Sequence, residues 1–453
     1  MVHILPGGVG TLQIVCHLHA HQSPDIYRRE SKVSTSSASR ARQTRPFRAE
    51  ATLWFQHDGA TGAEVALDES WGSGEDGPME ASTQARLAGP RGRRLCLEAA
   101  RALSPRVADL VFWLGHELAP DRGGARLVWA VHEGSCVPVS PPTVSPDEVA
   151  GALTGLDLSG LSDDVVQSAL VSAVESARYW QEPDGEDVLA GQSVIRAALA
   201  PVAAAVVASP ASRPWGRPRQ PVQWVADWRD FEDPTRLTRH PGRVLSEWAQ
   251  EERLQEARAT VERPADPTAN WSGSWWSIPQ GVTAGFGQIP AGLDLVEDAL
   301  GAEAATVIPV QGAGRTYEIH APGDWVRLCR EFPLEVSASR RHDWYRVTGR
   351  SGRWVIPDWE QVASEWDAVH LTTMGYLSSA TRALSVDADA ATVLAGWGPD
   401  TTVWLTDTVR ESDEPRQSWH RGPGGGWIRC ATAADIGSAG PARAGDRTQK
   451  GER

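Results

Sequence analysis

The sequence predicts a mixed α+β protein. A mostly helical α/β domain spans residues 86–208, a Pro- and Trp-rich connecting region with one charged helix spans 209–290, and a compact α+β domain spans 291–411. Three observations predict it. Val165, Val166, Ala169, Leu170, Ala173, Val174, Ala177 and Trp180 recur at spacings of three and four, the period of a helix with one buried face. From 291 onward, strand-like runs, helical stripes and glycine turns follow one another without regular strand–helix–strand alternation, which suits α+β better than a parallel sheet. Residues 1–85 and 412–453 sustain neither period and are rich in Gly, Ser, Pro and charge, so both termini are expected to be disordered or weakly structured. The stretch before Met79 is expected to be dispensable for folding.

In chain order, Leu95, Leu97, Ala99, Ala100 and Leu103 mark a first helix. The runs 109–114 and 125–131 read as short strands around a Pro/Gly turn. Ser145-Pro146-Asp147-Glu148 opens a helix: Ser145 caps, Pro146 takes the first turn and Glu148 closes a capping box. Ser162-Asp163-Asp164 opens the long stripe above, and 186–208 continues as helix with a break at Pro201. In the connecting region, 244–261 is a charged helix. The run Asn270-Trp271-Ser272-Gly273-Ser274-Trp275-Trp276 is irregular, its tryptophans expected to cover another surface.

In the last domain, 305–311 and 315–320 read as a strand pair across Gly312-Ala313-Gly314. Trp325, Leu328, Cys329 and Phe332 give the inner face of a helix, and 334–338 reads as a strand. Residues 343–348 and 353–356 read as a second pair across 349–352. Asp358 caps a helix burying Trp359, Val362, Ala363 and Trp366, and 367–372, 392–397 and 402–406 supply three more strands.

Composition excludes several functions. A net charge of -14 argues against general binding to nucleic acid or anionic membranes, which need a cationic face. The two lysines, Lys32 and Lys450, stand against 42 arginines, and abundant Ala and Gly point to a GC-rich genome, so arginine number alone says little about ligands. Five scattered cysteines contain no C-x-x-C pair and fit a reducing, cytoplasmic compartment. The longest apolar run, near 197–208, falls short of the roughly 20 residues a membrane span needs, and the apolar start 4–16 has no basic residue before it, unlike a secretion signal. His17, His19 and His21 alternate as metal ligands on a strand would, but no partner strand is evident and no metal is expected. Gly-x-Ser-x-Gly, Walker A and His-Glu-x-x-His are all absent from the sequence, and Gly312-Ala313-Gly314 precedes a strand instead of joining strand to helix. No cofactor is expected.

The candidate binding residues are Arg340, Arg341, His342, Trp344, Arg346 and Trp354, in a stretch where five arginines and a histidine face one acid, Asp343. Guanidinium forks bind phosphate or carboxylate and stack on aromatic rings, which points to an anionic small molecule or an acidic protein surface as partner. The same residues also read as a solvated hairpin whose arginines pair with Glu360 or Glu365, and the commonness of charged hairpins favours that plainer reading. His320 and His370 end predicted strands, where titrating groups often work.

Two longer resemblances bear on identity. Tyr317-Glu318-Ile319-His320-Ala321-Pro322-Gly323-Asp324-Trp325, Ser339-Arg340-Arg341-His342-Asp343-Trp344-Tyr345-Arg346, Trp354-Val355-Ile356-Pro357-Asp358-Trp359, Asp367-Ala368-Val369-His370-Leu371-Thr372 and Gly396-Trp397-Gly398-Pro399-Asp400 together resemble a family of cytoplasmic proteins from GC-rich bacteria with no assigned activity. That resemblance implies a coherent fold over 86–410 and no chemistry. His320, Tyr376 and Asp400 are faintly similar to the histidine–tyrosine–acid set of mono-ADP-ribosyltransferases, although aspartate stands where that family has glutamate. The expectation is a non-enzymatic interaction or ligand-binding protein using a basic-aromatic surface; the alternative is an enzyme acting on a nucleotide or other anionic small molecule.

Overall fold

A computed structural model describes residues 87–119, 142–228, 237–238, 240–297 and 302–430, with the backbone of four further strands. The chain divides into two compact units, residues 1–76 with 124–139 and residues 77–123 with 140–453.

In the first unit β1 (Val2–Pro6), β2 (Leu12–Cys16), β3 (Leu127–His132) and β4 (Ser135–Val139) form an antiparallel sheet in that order. The strand expected over 125–131 is β3. Two segments of the stretch expected to lack regular structure are therefore strands, because β2 finds its partner in β3, a long-range match that no local pattern reveals. The remainder of 1–86, with His17, His19 and His21, lies outside the described residues, as does 431–453.

The second unit begins with six helices: α1 (Pro90–Leu103), α2 (Pro105–Leu118), α3 (Pro146–Thr154), α4 (Asp163–Glu175), α5 (Gly185–Gly191) and α6 (Ser193–Ala208), closed by a 3-10 turn at Pro210–Gly216. Ser145 and Glu148 form the expected capping box and Ser162 caps α4. The strand expected over 109–114 is instead part of α2. Its apolar run is too continuous to fix a period, and the deciding signal is Ser104, whose side chain accepts from Val107 N, followed by Pro105 at the first helical position. Trp180 lies beyond the end of α4.

The connecting region supplies β5 (Val222–Asp227), α7 (Pro241–Glu262), β6 (Ala284–Phe286) and the one-turn α8 (Ala291–Asp294). After it come β7 (Ala304–Gly312), β8 (Thr316–Ile319), α9 (Pro322–Glu331), β9 (Pro333–Glu335), α10 (Ser337–Thr348), β10 (Arg353–Pro357), α11 (Trp359–Val362), β11 (Ala368–Leu371) and α12 (Thr373–Ser379). The last strands are β12 (Leu384–Ser385), β13 (Ala390–Thr392), β14 (Thr401–Trp404), β15 (Val409–Glu411), β16 (Gln417–Arg421) and β17 (Trp427–Arg429). A nine-stranded sheet runs β17-β16-β7-β5-β6-β14-β11-β8, with β15 also on β7, and a smaller sheet runs β12-β13-β10-β9.

Several expected pairings are corrected. β7 and β8 do not pair across Gly312; β7 joins β5, β15 and β16, and β8 lies parallel to β11. Residues 343–348 are helix α10, and Gly349, at φ 70, is its left-handed C-terminal residue and not a hairpin turn. The tail expected to fray from 412 instead adds β16 and β17, anchored by buried Trp419 and Trp427 beside Ala305 and Val307. The boundaries expected near 208 and 290 run through shared cores: Ala177 and Tyr179 pack with Leu334, Trp344 and Trp354. The mixed α+β class holds.

Tryptophan organises the interior. Trp325, Trp359 and Trp397 meet at 5.7–6.2 Å between ring centroids, and Trp344 meets Trp354 edge-on at 5.3 Å, geometries that aromatic quadrupoles favour. Buried indole N–H groups need acceptors. Trp325 donates to Thr392 Oγ1, Trp344 to Trp275 O, Trp359 to Ser277 O and Trp404 to Gln223 Oε1, at 3.0–3.2 Å. Trp359 is fully buried, whereas Trp366 lies beyond the single turn of α11 and is only partly buried. Trp359→Ala is expected to cost about 3–5 kcal/mol in denaturant unfolding and Trp366→Ala markedly less. Equal losses would contradict this packing.

Candidate functional site

His370 lies on β11, between β14 and β8. The parallel register sets it beside Glu318 of β8, so the two side chains share one face of the sheet. Nδ1 of His370 faces Glu318 Oε2 at 2.6 Å and Nε2 faces Asp400 Oδ1 at 3.3 Å. The imidazole is buried, the Glu318 side chain is 20% exposed and Asp400 is 35% exposed. Glu318 is fixed from behind by the Arg219 backbone N–H at 3.0 Å, and Arg219 is itself held by Thr316 Oγ1.

Asp400 precedes β14 in a left-handed conformation, φ 53, which a short polar side chain tolerates better than most. A Cβ at Gly287 would stand 2.6 Å from Asp400 Oδ2. Glycine there leaves the room that the carboxylate occupies. Asp400 and Thr373 line a cavity of about 580 Å³ whose walls include Trp215, Trp224, Phe286 and Gln288. That volume is within the range of small-molecule sites, which pair apolar walls with a few fixed polar groups.

Burial alone would lower the His370 pKa. Hydrogen bonds to Asp400 and Glu318, and then their charges, outweigh it, and the value is raised above the ordinary one. An imidazolium between two carboxylates keeps Asp400 a fixed hydrogen-bond acceptor, directed by a group that the cavity does not touch.

The other sequence-predicted residues do not join this site. Arg340 is fully buried and pairs with Glu252 of α7 at 2.7 Å, while donating to Trp276 O and Ser339 Oγ. Arg341 donates to Pro264 O. Arg346 donates to Asp343, Trp180 O and Trp271 O. Trp344 and Trp354 are in the core. His342 is 1% exposed, and its pKa is lowered by burial and by Arg341, Arg263 and Arg346. The basic-aromatic run is thus an internal brace between α7, 263–276 and α10. Its arginines satisfy main-chain carbonyls that a connecting region without regular structure leaves open.

His320 is exposed and only its backbone N–H is engaged, by Asp324. Tyr376 is buried elsewhere, within electrostatic reach of Tyr179 and Glu297. The expected grouping of His320, Tyr376 and Asp400 therefore does not assemble. Glu297 accepts from the Tyr179 hydroxyl. Its pKa is raised to about 7, by burial that the tyrosine hydrogen bonds and Arg91 only partly offset.

Sequence reasoning found His370 and named Asp400, but missed Glu318 as a partner and Gly287 as the space for Asp400. The signal for Glu318 is its place two residues before His320 on a parallel strand, which only the register reveals. Among the described residues, no group of three or more His, Cys, Asp or Glu is placed to hold a metal ion, and no helix is long and apolar enough to cross a membrane. No protein-family model, curated protein or solved structure matches the chain.

Two outcomes follow from this geometry. A histidine whose pKa is raised on folding stabilises fully below its unfolded value of about 6.5 and loses that contribution as pH rises through the folded value. The denaturation midpoint of the native chain minus that of His370→Gln is expected to be largest near about pH 6 and to shrink toward about pH 9. A difference independent of pH would contradict the double ion pair. Arg340→Met leaves Glu252 buried without its cation and is expected to cost about 3–5 kcal/mol in the same assay. A neutral result would return Arg340 to the list of ligand groups.

Proposed function

We propose that the second unit binds a small molecule in the cavity beneath Asp400, and that the ligand carries hydrogen-bond donors or a cationic group beside an apolar or ring portion. The observation that carries this is the line from Glu318 through His370 to Asp400, which ends at the cavity wall. It supplies a charged acceptor with fixed direction, and Trp215, Trp224 and Phe286 supply surface for stacking or a cation–π contact.

An anionic ligand suits this cavity poorly, since Asp400 would repel it. Of the basic-aromatic residues from which an anionic partner was expected, Arg340, His342, Trp344 and Trp354 are buried, and Arg341 and Arg346 donate to main-chain carbonyls. A hydrolytic or transfer role at Asp400 is also less well supported than binding. The buried imidazole does not line the cavity, and no second acid or base stands beside Asp400 among the described residues that do. The reading is therefore a ligand-binding protein.

The test is a thermal-shift screen of the full chain against alkylammonium compounds, aromatic amines and polyols. At least one class is expected to raise the midpoint saturably. Asp400→Asn is expected to weaken that ligand at least about tenfold, the size of a charge-assisted hydrogen bond. Gly287→Ala, which pushes a methyl into the carboxylate's place, is expected to weaken it comparably. Unchanged affinity in both variants would move the site elsewhere.

A further inference from the structure

Among the described residues that line the cavity, two are charged, Asp400 and Arg217. Arg217 stands between the 3-10 turn Pro210–Gly216 and β5, and it is exposed. Its guanidinium has no ion pair or hydrogen bond among the described residues. Asp400 turns Oδ1 to His370, and its Oδ2 has no partner among the described residues. The two charges thus share one cavity without meeting, each with bonding capacity left over. They are also fixed to one frame. The Arg219 backbone N–H, two residues beyond Arg217, donates to Glu318 at 3.0 Å; Glu318 faces His370 at 2.6 Å; and His370 faces Asp400 at 3.3 Å. Arg217 and Asp400 stand at opposite ends of that line of contacts.

Two more polar groups of the wall are open. Trp215 and Thr373 are each 4% exposed, yet the Trp215 indole N–H and the Thr373 hydroxyl have no hydrogen-bond partner among the described residues. Neither atom is sealed inside the protein, so each opens at the cavity it lines. Trp325, Trp344, Trp359 and Trp404 all give their indole N–H to protein acceptors. A buried indole normally finds such an acceptor, and a donor left open calls for one on a ligand. Residues two apart in the chain lie within about 7 Å, so the Trp215 N–H and the Arg217 guanidinium belong to the same end of the wall. That end offers donors and positive charge. The other end, at Asp400, offers an acceptor and negative charge, and Trp224 and Phe286 supply apolar surface.

We propose that the ligand of this cavity is a zwitterion of amino-acid type, with its ammonium on Asp400, its carboxylate on Arg217 and the Trp215 N–H, and its apolar or ring portion against Trp224 and Phe286. This inference rests on the cavity being a binding site and narrows what it takes. A guanidinium fork holds a carboxylate through two oxygens, and an ammonium gives Asp400 Oδ2 the donor it lacks. Thr373 adds a hydroxyl that both donates and accepts. A lone cation leaves Arg217 and the indole N–H unmatched, and a lone anion meets Asp400. A molecule carrying both charges matches each end of the wall.

The experiment is calorimetric titration of the full chain, at constant ionic strength, with matched sets of amine, amino acid and carboxylic acid. The sets carry an isobutyl, a benzyl or an indolylmethyl group: isoamylamine, leucine and 4-methylpentanoate; phenethylamine, phenylalanine and 3-phenylpropanoate; tryptamine, tryptophan and indole-3-propionate. In at least one set the amino acid is expected to bind at least about threefold more tightly than the amine, with the carboxylic acid weakest. Arg217→Gln, at an exposed position, is expected to remove the advantage of the amino acid over the amine, and Trp215→Phe, which keeps a ring and loses the N–H, to reduce it. The advantage is expected to shrink as sodium chloride rises. An amine that binds as tightly as its amino acid overturns the zwitterion and leaves the cavity a site for cations. An unchanged advantage in Arg217→Gln also overturns it. Silence from every set overturns it too, and a hit among the polyols or other amines of the screen above would then preserve the binding site alone.

Discussion

Three consecutive main-chain carbonyls hold the centre of the second unit. Trp275 O accepts from the Trp344 indole, Trp276 O from Arg340 and Ser277 O from the Trp359 indole. Ser277 is itself locked to Ala395 through main-chain and hydroxyl hydrogen bonds. An irregular segment has carbonyls to offer because no ladder uses them, and large buried donors need them. The match explains why a chain with 21 tryptophans can bury so many. Indole area stabilises the core, and the segment at 271–277 takes up the polar atoms that come with it. It also joins α7, α10, α11 and the strand region near Ala395 into one body, so the connecting region is part of the core and not a linker.

The candidate site depends on that body for its shape. β8 and β11 lie parallel because α9 to α11, with β9 and β10, intervene between them in sequence, and the resulting register puts Glu318 against His370. β14 then returns antiparallel, and the residue just before it, Asp400, caps the imidazole from the other side. Gln223 adds a cross-tie, donating to Thr402 and accepting from Trp404, which holds β5 against β14 and so fixes one wall of the cavity. Charge placed this way costs desolvation, which the paired partners offset only while all three are present.

Local chemistry was legible in the sequence and long-range pairing was not. The caps at Ser145, Ser162 and Asp358 were read correctly, since capping is decided within four residues. The helix at α10 was missed because both of its faces are engaged. Arg340, His342 and Asp343 are buried along with Ala338 and Trp344, which erases the apolar stripe that marks a helix. With no stripe, the sequence around Gly349 reads as a turn, although Gly349 ends the helix. The glycines at 312–314 suggested a hairpin, yet β7 finds β5 and β16 instead, partners that nothing near residue 312 specifies. In the same way, the sequence marks His370 as a strand-end histidine, while its pairing with Glu318 follows only from the sheet. The arginine-rich run drew attention by its charge, and burial against carbonyls accounts for that charge.

The candidate site depends on His370 being bridged between Glu318 and Asp400 inside the fold. The most direct measurement is the imidazole titration itself, followed by two-dimensional NMR of the histidine ring nitrogens in the full chain, with His370 assigned by its loss in His370→Gln. His370 is expected to titrate above the ordinary histidine value, and Asp400→Asn to move its titration downward. A His370 resonance that titrates at or below the ordinary value, unmoved by Asp400→Asn, would contradict it.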